Sequence, residues 1–107
     1  MNKEDIEVLA NIRYMKVTRV IEKNVQNHRE EEHVITLTTK GIETSCDTFS
    51  LAEVLDISFR DFSQQLGLLY LHTTKGMYSY TVRINPQIFI KKFKEVKKRK
   101  KNGTNSL

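Results

Sequence analysis

Leu68-Leu69-Tyr70-Leu71-His72-Thr73-Thr74-Lys75-Gly76-Met77-Tyr78-Ser79-Tyr80-Thr81-Val82 sets two β-rich runs either side of a four-residue reversal. The glycine supplies the positive φ that a tight turn needs, and the aromatic and branched flanks suit strands, so the stretch predicts a hairpin. The same four residues occur once more. Thr38-Thr39-Lys40-Gly41 lies between Val34–Leu37 and Ile42–Cys46, which predicts a second hairpin. Their 35-residue spacing could mark a repeat, but the flanks diverge at once. Recurring turn chemistry accounts for the match more simply.

Upstream, Ile6, Val8, Ala10, Ile12 and Tyr14 recur with period two, the pattern of a strand with one buried face. Val17, Val20 and Ile21 break that parity, which places a bend or bulge near Met15–Lys16 and a second strand ending about Lys23. Asn24 to Glu32 is polar and predicts a solvated loop. Ser50-Leu51-Ala52-Glu53 has the form of a capping box. Because Leu55, Ile57 and Phe59 then alternate with polar residues, the expectation is one turn followed by a strand to about Arg60, with Asp61–Gly67 as a loop.

At the C-terminal end Asn85 suits an N-cap and Pro86 the first helical position. Ile88, Phe89, Phe93 and Val96 form an apolar side opposite Lys91, Lys94 and Lys98, predicting a helix from Pro86 to Lys98 with a fraying basic tail over 99–107. Residues 1–98 would then be one domain.

Composition narrows the class. The chain has 107 residues, within the range of a single core. Its single cysteine, Cys46, permits no intramolecular disulfide, and no apolar leader or membrane-length run is present, so the expected location is cytoplasmic. The net charge of +5 is concentrated at one end: Lys91–Lys101 holds eight basic residues against Glu95, leaving residues 1–90 at −2.

About seven short strands followed by one amphipathic helix is an α+β order. Phe49–Arg60, Leu68–Tyr78 and Asn85–Ile90 give the chain its resemblance to the small bacterial pleckstrin-homology-like proteins. The resemblance implies a bent antiparallel β-barrel or sandwich closed by the C-terminal helix, and a non-catalytic binding or scaffolding module. Phosphoinositide-binding members place basic residues around the first inter-strand loop, which here would hold either Tyr14–Val17 or Asn24–Glu32; the second carries Glu30-Glu31-Glu32, which would repel a phosphate, so that site does not carry over.

The residues offer no cofactor or metal set: His28, His33 and His72 lack metal-ligand spacing. An exposed His72 bonded to nearby backbone is the ordinary expectation. Cys46, on a predicted hairpin strand, is expected in the core. Asp56 and Asp61 flank Arg60 as surface charge pairs. Tyr70, Tyr78 and Tyr80 are a candidate partner face, with Tyr70 placed across from the other two. Lys97, Lys98, Arg99, Lys100 and Lys101 are a candidate contact for anionic surfaces, each worth about 1 kcal/mol at a membrane, enough to assist a second contact rather than to anchor the protein alone. The leading expectation is a binding module for which a protein partner is favoured over a small molecule, working through a sheet edge, a loop surface or the barrel mouth. The alternative is a nucleic-acid-associated protein, which needs the tyrosines and lysines on one face.

Overall fold

In a computed structural model of the chain, residues 6–22, 25–63 and 66–105 are described. Both Thr-Thr-Lys-Gly segments are turns, and the first threonine organises each. Thr38 Oγ1 accepts from the amides of Lys40 and Gly41 and donates to the Gly41 carbonyl. Thr73 Oγ1 likewise accepts from the Lys75 amide and donates to the Gly76 carbonyl. Gly41 and Gly76 both have positive φ. Their shared motif is therefore turn chemistry, as the diverging flanks imply.

The strands are β1 (Val8–Glu22), β2 (Val25–Thr38), β3 (Gly41–Glu43), β4 (Thr48–Ser50), β5 (Val54–Ser63), β6 (Leu66–Thr73) and β7 (Gly76–Val82), followed by helix α1 (Gln87–Asn105). They form one seven-stranded antiparallel sheet in the order β4-β3-β2-β1-β7-β6-β5, compatible with a small sandwich or barrel-like α+β domain although the sheet does not close. Strands β4 and β5, neighbours in sequence, are its two outermost members. The chain between them, Leu51-Ala52-Glu53, is too short to let them lie far apart, since the four steps from Ser50 to Val54 reach only about 14 Å. The sheet must curl until its edges meet at that corner.

The corner is the capping box. Ser50 N donates to Glu53 Oε1 at 2.9 Å and Glu53 N returns a bond to Ser50 Oγ at 3.3 Å, before one turn gives way to β5 as the sequence predicts. Both threonine turns join it, because Leu51 N donates to the Lys40 carbonyl and Thr74 N to the Glu53 carbonyl. Inside the curl lie Ile12, Tyr14, Ile35, Leu37, Ile42, Phe49 and their neighbours from β5 to β7.

Helix α1 crosses the open side, packing against β1 and β5. Asn85 Oδ1 accepts from Gln87 N at 3.0 Å, confirming the N-cap, and Ile90 N donates to the Pro86 carbonyl. Phe89 and Phe93 are buried in the core, with Ile90 and Val96 beside them. At about 100° per residue, Ile88 points well away from this stripe; it is 72% exposed, against the expectation that it joins the core. The helix also continues past Lys98 to Asn105, so the basic run has helical backbone throughout.

Several boundaries differ from the sequence expectations. β1 runs unbroken through Met15–Lys16, and its irregularity lies instead between Val8 and Ala10. That shift turns Leu9 toward the core and leaves Val8 and Ile6 exposed. Asn24–Glu32 is mostly strand: β2 begins at Val25 and pairs with β1 along its whole length, with Lys23 and Asn24 outside the described residues. Of the predicted loop Asp61–Gly67, residues 61–63 end β5 and residues 66–67 begin β6, with Gln64 and Gln65 outside the described residues. A bulge between Val54 and Asp56 breaks the predicted alternation, so Val54 and Ile57 are buried and Leu55 is exposed.

Phe93→Ala is expected to lower stability by roughly 3–5 kcal/mol, since it empties the contact through which α1 closes the curl; urea denaturation of the two proteins measures it, and an unchanged midpoint would show that the helix does not pack on the sheet. The Lys97 ammonium donates to the Leu51 carbonyl and ties α1 to the corner. Lys97→Met should cost about 1 kcal/mol, whereas Lys98→Met should stay within about 0.5 kcal/mol.

Candidate functional site

The exposed position of Ile88 builds a groove. It runs between α1 and β5 with a volume of about 710 Å³, its apolar walls formed by Phe59, Ile88 and Ile90 and its rim by Lys91, Lys94 and Lys98. These lysines recur every three or four residues, which aligns them along one side of the helix. Glu95 is the one acidic residue of the lining. Phe59 is held against the backbone of β6: a Cβ built on Gly67 would lie 2.4 Å from its ring, so only glycine leaves room for the ring there. A smaller, more polar concavity shares Phe59 and adds Leu66 and Ile84 together with Asp61, Arg83 and Asn85, toward the β5–β6 hairpin. Leu66 is 41% and Ile84 57% exposed.

A second concavity, of about 280 Å³, lies against β1, β7 and the β3–β4 connection. Here the structure corrects the expectation for Cys46. β3 ends at Glu43, and Thr44–Asp47 form a tight turn in which Thr44 Oγ1 accepts from the amides of Cys46 and Asp47. Cys46 is at the tip and exposed. Lys16 Nζ donates to its sulfur at 3.1 Å, and that hydrogen bond holds the thiol below the ordinary thiol range. Ser45 stands between the sulfur and the Tyr14 hydroxyl, 2.6 Å from the latter.

The candidate tyrosines do not share a surface. Leu71 pairs with Tyr78 and Leu69 with Tyr80, so these two tyrosines face the core side, while Tyr70 pairs with Ser79 on the opposite face. Tyr78 packs edge-on against Phe49 and Tyr80 against Tyr14, each with ring centroids 5.0 Å apart. Burial pushes the Tyr80 hydroxyl pKa up to about 12.

The basic run divides as well. Lys97 is committed to the Leu51 carbonyl, while Lys98 and Arg99 are exposed and Lys98 belongs to the groove. The side chains of Lys100 and Lys101 lie outside the described residues, as does that of His28. His72 bonds to the Ser58 hydroxyl across β5 and β6 at 2.8 Å, not to backbone, and His33 sits beside Glu31. Arg60 lies over the Phe62 ring at 5.4 Å instead of pairing with Asp56 or Asp61. Among the described residues no cluster of His, Cys, Asp or Glu is arranged to hold a metal, and no helix is long and apolar enough to cross a membrane. The groove had no sequence signal, because Phe59 and Ile88 meet only through the fold.

Lys16→Met should slow alkylation of Cys46 by iodoacetamide at pH 7, because removing the ammonium raises the thiol pKa and lowers the thiolate fraction. The two rates should converge above pH 10, where both thiols are ionised; equal rates at pH 7 would show that Lys16 does not act on the sulfur. Comparison with protein-family models, with curated proteins and with solved structures finds no match to this chain.

Proposed function

We propose that the chain is a non-catalytic binding module of pleckstrin-homology-like type that engages a protein partner through the groove between α1 and β5. The observation that carries this reading is a concave apolar strip left open beside the buried core: Phe59, Ile88 and Ile90 line it, although Phe89, next to Ile88 on the same helix, and Phe93, one turn further, are buried. Such concavities, lined by apolar side chains with a few polar groups at the rim, are the usual form of binding sites. The element order and the C-terminal helix agree with the family resemblance, and the basic helix end serves as an electrostatic aid at anionic surfaces through Lys98 and Arg99.

The nucleic-acid reading draws less support. It needs an aromatic face beside the lysines, and Tyr70 lies on the sheet face opposite Tyr78 and Tyr80.

Pull-down from nuclease-treated lysate should recover a protein with the wild-type chain and lose it with Ile88→Asp, while Met77→Asp, on exposed β7 away from the groove, retains it. Both substitutions are at exposed positions and should leave stability within about 0.5 kcal/mol. Capture that is equal for wild type and Ile88→Asp, or that vanishes with nuclease, would overturn the proposal.

A further inference from the structure

The geometry points to the chemistry of the partner: a peptide segment carrying bulky apolar side chains flanked by carboxylates. This rests on the proposed role of the α1–β5 groove and specifies what the groove selects. Its floor and its rim make two separate demands. Phe59, Ile88 and Ile90 offer an apolar surface suited to bulky apolar side chains, and past the shared Phe59 ring Leu66 and Ile84 continue it among the polar residues Asp61, Arg83 and Asn85. Lys91, Lys94 and Lys98 stand along one border, spanning about 10 Å of helix at 1.5 Å per residue.

Those three lysines are available. The ion pairs among the described residues join Arg13 to Glu32, His33 to Glu31, Lys75 to Glu53 and Arg83 to Glu30, and none involves the groove lysines. Glu95 alone offsets their charge within the lining. At the far end, Arg83 is held by both carboxylate oxygens of Glu30, at 3.0 and 2.9 Å, so the positive border of the strip belongs to the helix. Beyond Phe59 the lining carries Asp61, so a partner carboxylate finds unpaired counter-charges only along the Lys91, Lys94 and Lys98 border, which orients the segment with its acidic side toward those lysines and its apolar side toward Phe59, Ile88 and Ile90. A concave lining is filled by inserted side chains rather than by the face of a bilayer, and the lysines disfavour basic segments.

Selection from a displayed library of random twelve-residue peptides tests this with the protein as it stands. Wild type should enrich sequences rich in Leu, Ile or Phe together with Asp and Glu, and Ile88→Asp should abolish the enrichment. The triple variant Lys91→Glu, Lys94→Glu, Lys98→Glu should reverse the charge of the enriched set to Lys and Arg while keeping the apolar residues. For a synthetic peptide from the wild-type pool, replacing its carboxylates with amides should weaken binding about tenfold, in line with three surface pairs. Apolar enrichment sensitive to Ile88→Asp but indifferent to the lysine reversal would overturn the acidic requirement and leave the binding groove standing. No enrichment, or enrichment unaffected by Ile88→Asp, would remove the groove and the partner together. Co-sedimentation with phosphatidylglycerol-containing vesicles that is lost in Ile88→Asp and competes with the selected peptide would reassign the strip to a membrane and overturn the peptide proposal.

Discussion

The chain from Ser50 to Val54 constrains everything else. It joins the two outermost strands of a seven-stranded sheet, and a three-residue link cannot bridge the width of a flat one. Curvature is thus imposed by connectivity before any side chain packs. The reciprocal Ser50–Glu53 bonds fix the link, the Thr38 and Thr73 turns each contribute one backbone hydrogen bond to it, and Lys97 reaches it from the helix. With one corner drawn together, the opposite side stays open and exposes a concave apolar surface. Helix α1 covers that surface with Phe89 and Phe93, and the placement of the helix leaves the groove beside Phe59.

Local chemistry was legible in the sequence wherever a few adjacent residues decide the backbone. The paired Thr-Thr-Lys-Gly turns, the capping box and the Asn85 cap all act over two to four residues and all occur as read. The second part of β1 was read as strand, but the first half of β2 was not legible, because its described side chains have no buried face. Arg29, Glu30, Glu31 and Glu32 are exposed, yet their backbones pair with β1, and backbone pairing leaves no trace in side-chain periodicity. Parity failed at the bulges near Val8 and Val54 for a related reason: one extra residue reverses the sides, trading Val8 for Leu9 and Leu55 for Val54.

The candidate surfaces were harder still, because each depends on where an element stops. Cys46 would be buried if β3 continued, but the Thr44 turn ends the strand and brings the thiol beside Lys16, thirty residues earlier in the chain. Ile88 looks like a core residue in a list of apolar positions and is excluded from the core only by the angle at which Phe89 and Phe93 dock. The groove and the thiol pocket have no lining residue in common, so each can be altered without touching the other.

The order of the strands also bears on how the chain finds its fold. β1 to β4 are joined pairwise through adjacent hairpins, and so are β5 to β7; among the described residues only β1 and β7 pair as strands across the two halves, with Met15 opposite Thr81. Each half can assemble from short-range contacts, which cost little loop entropy, while joining them closes most of the chain into one large loop. The entropic burden of folding is therefore gathered into a single docking event. A half with its β1 or β7 side still uncovered presents an unpaired edge, which makes that interval the point at which two copies are most apt to exchange strands.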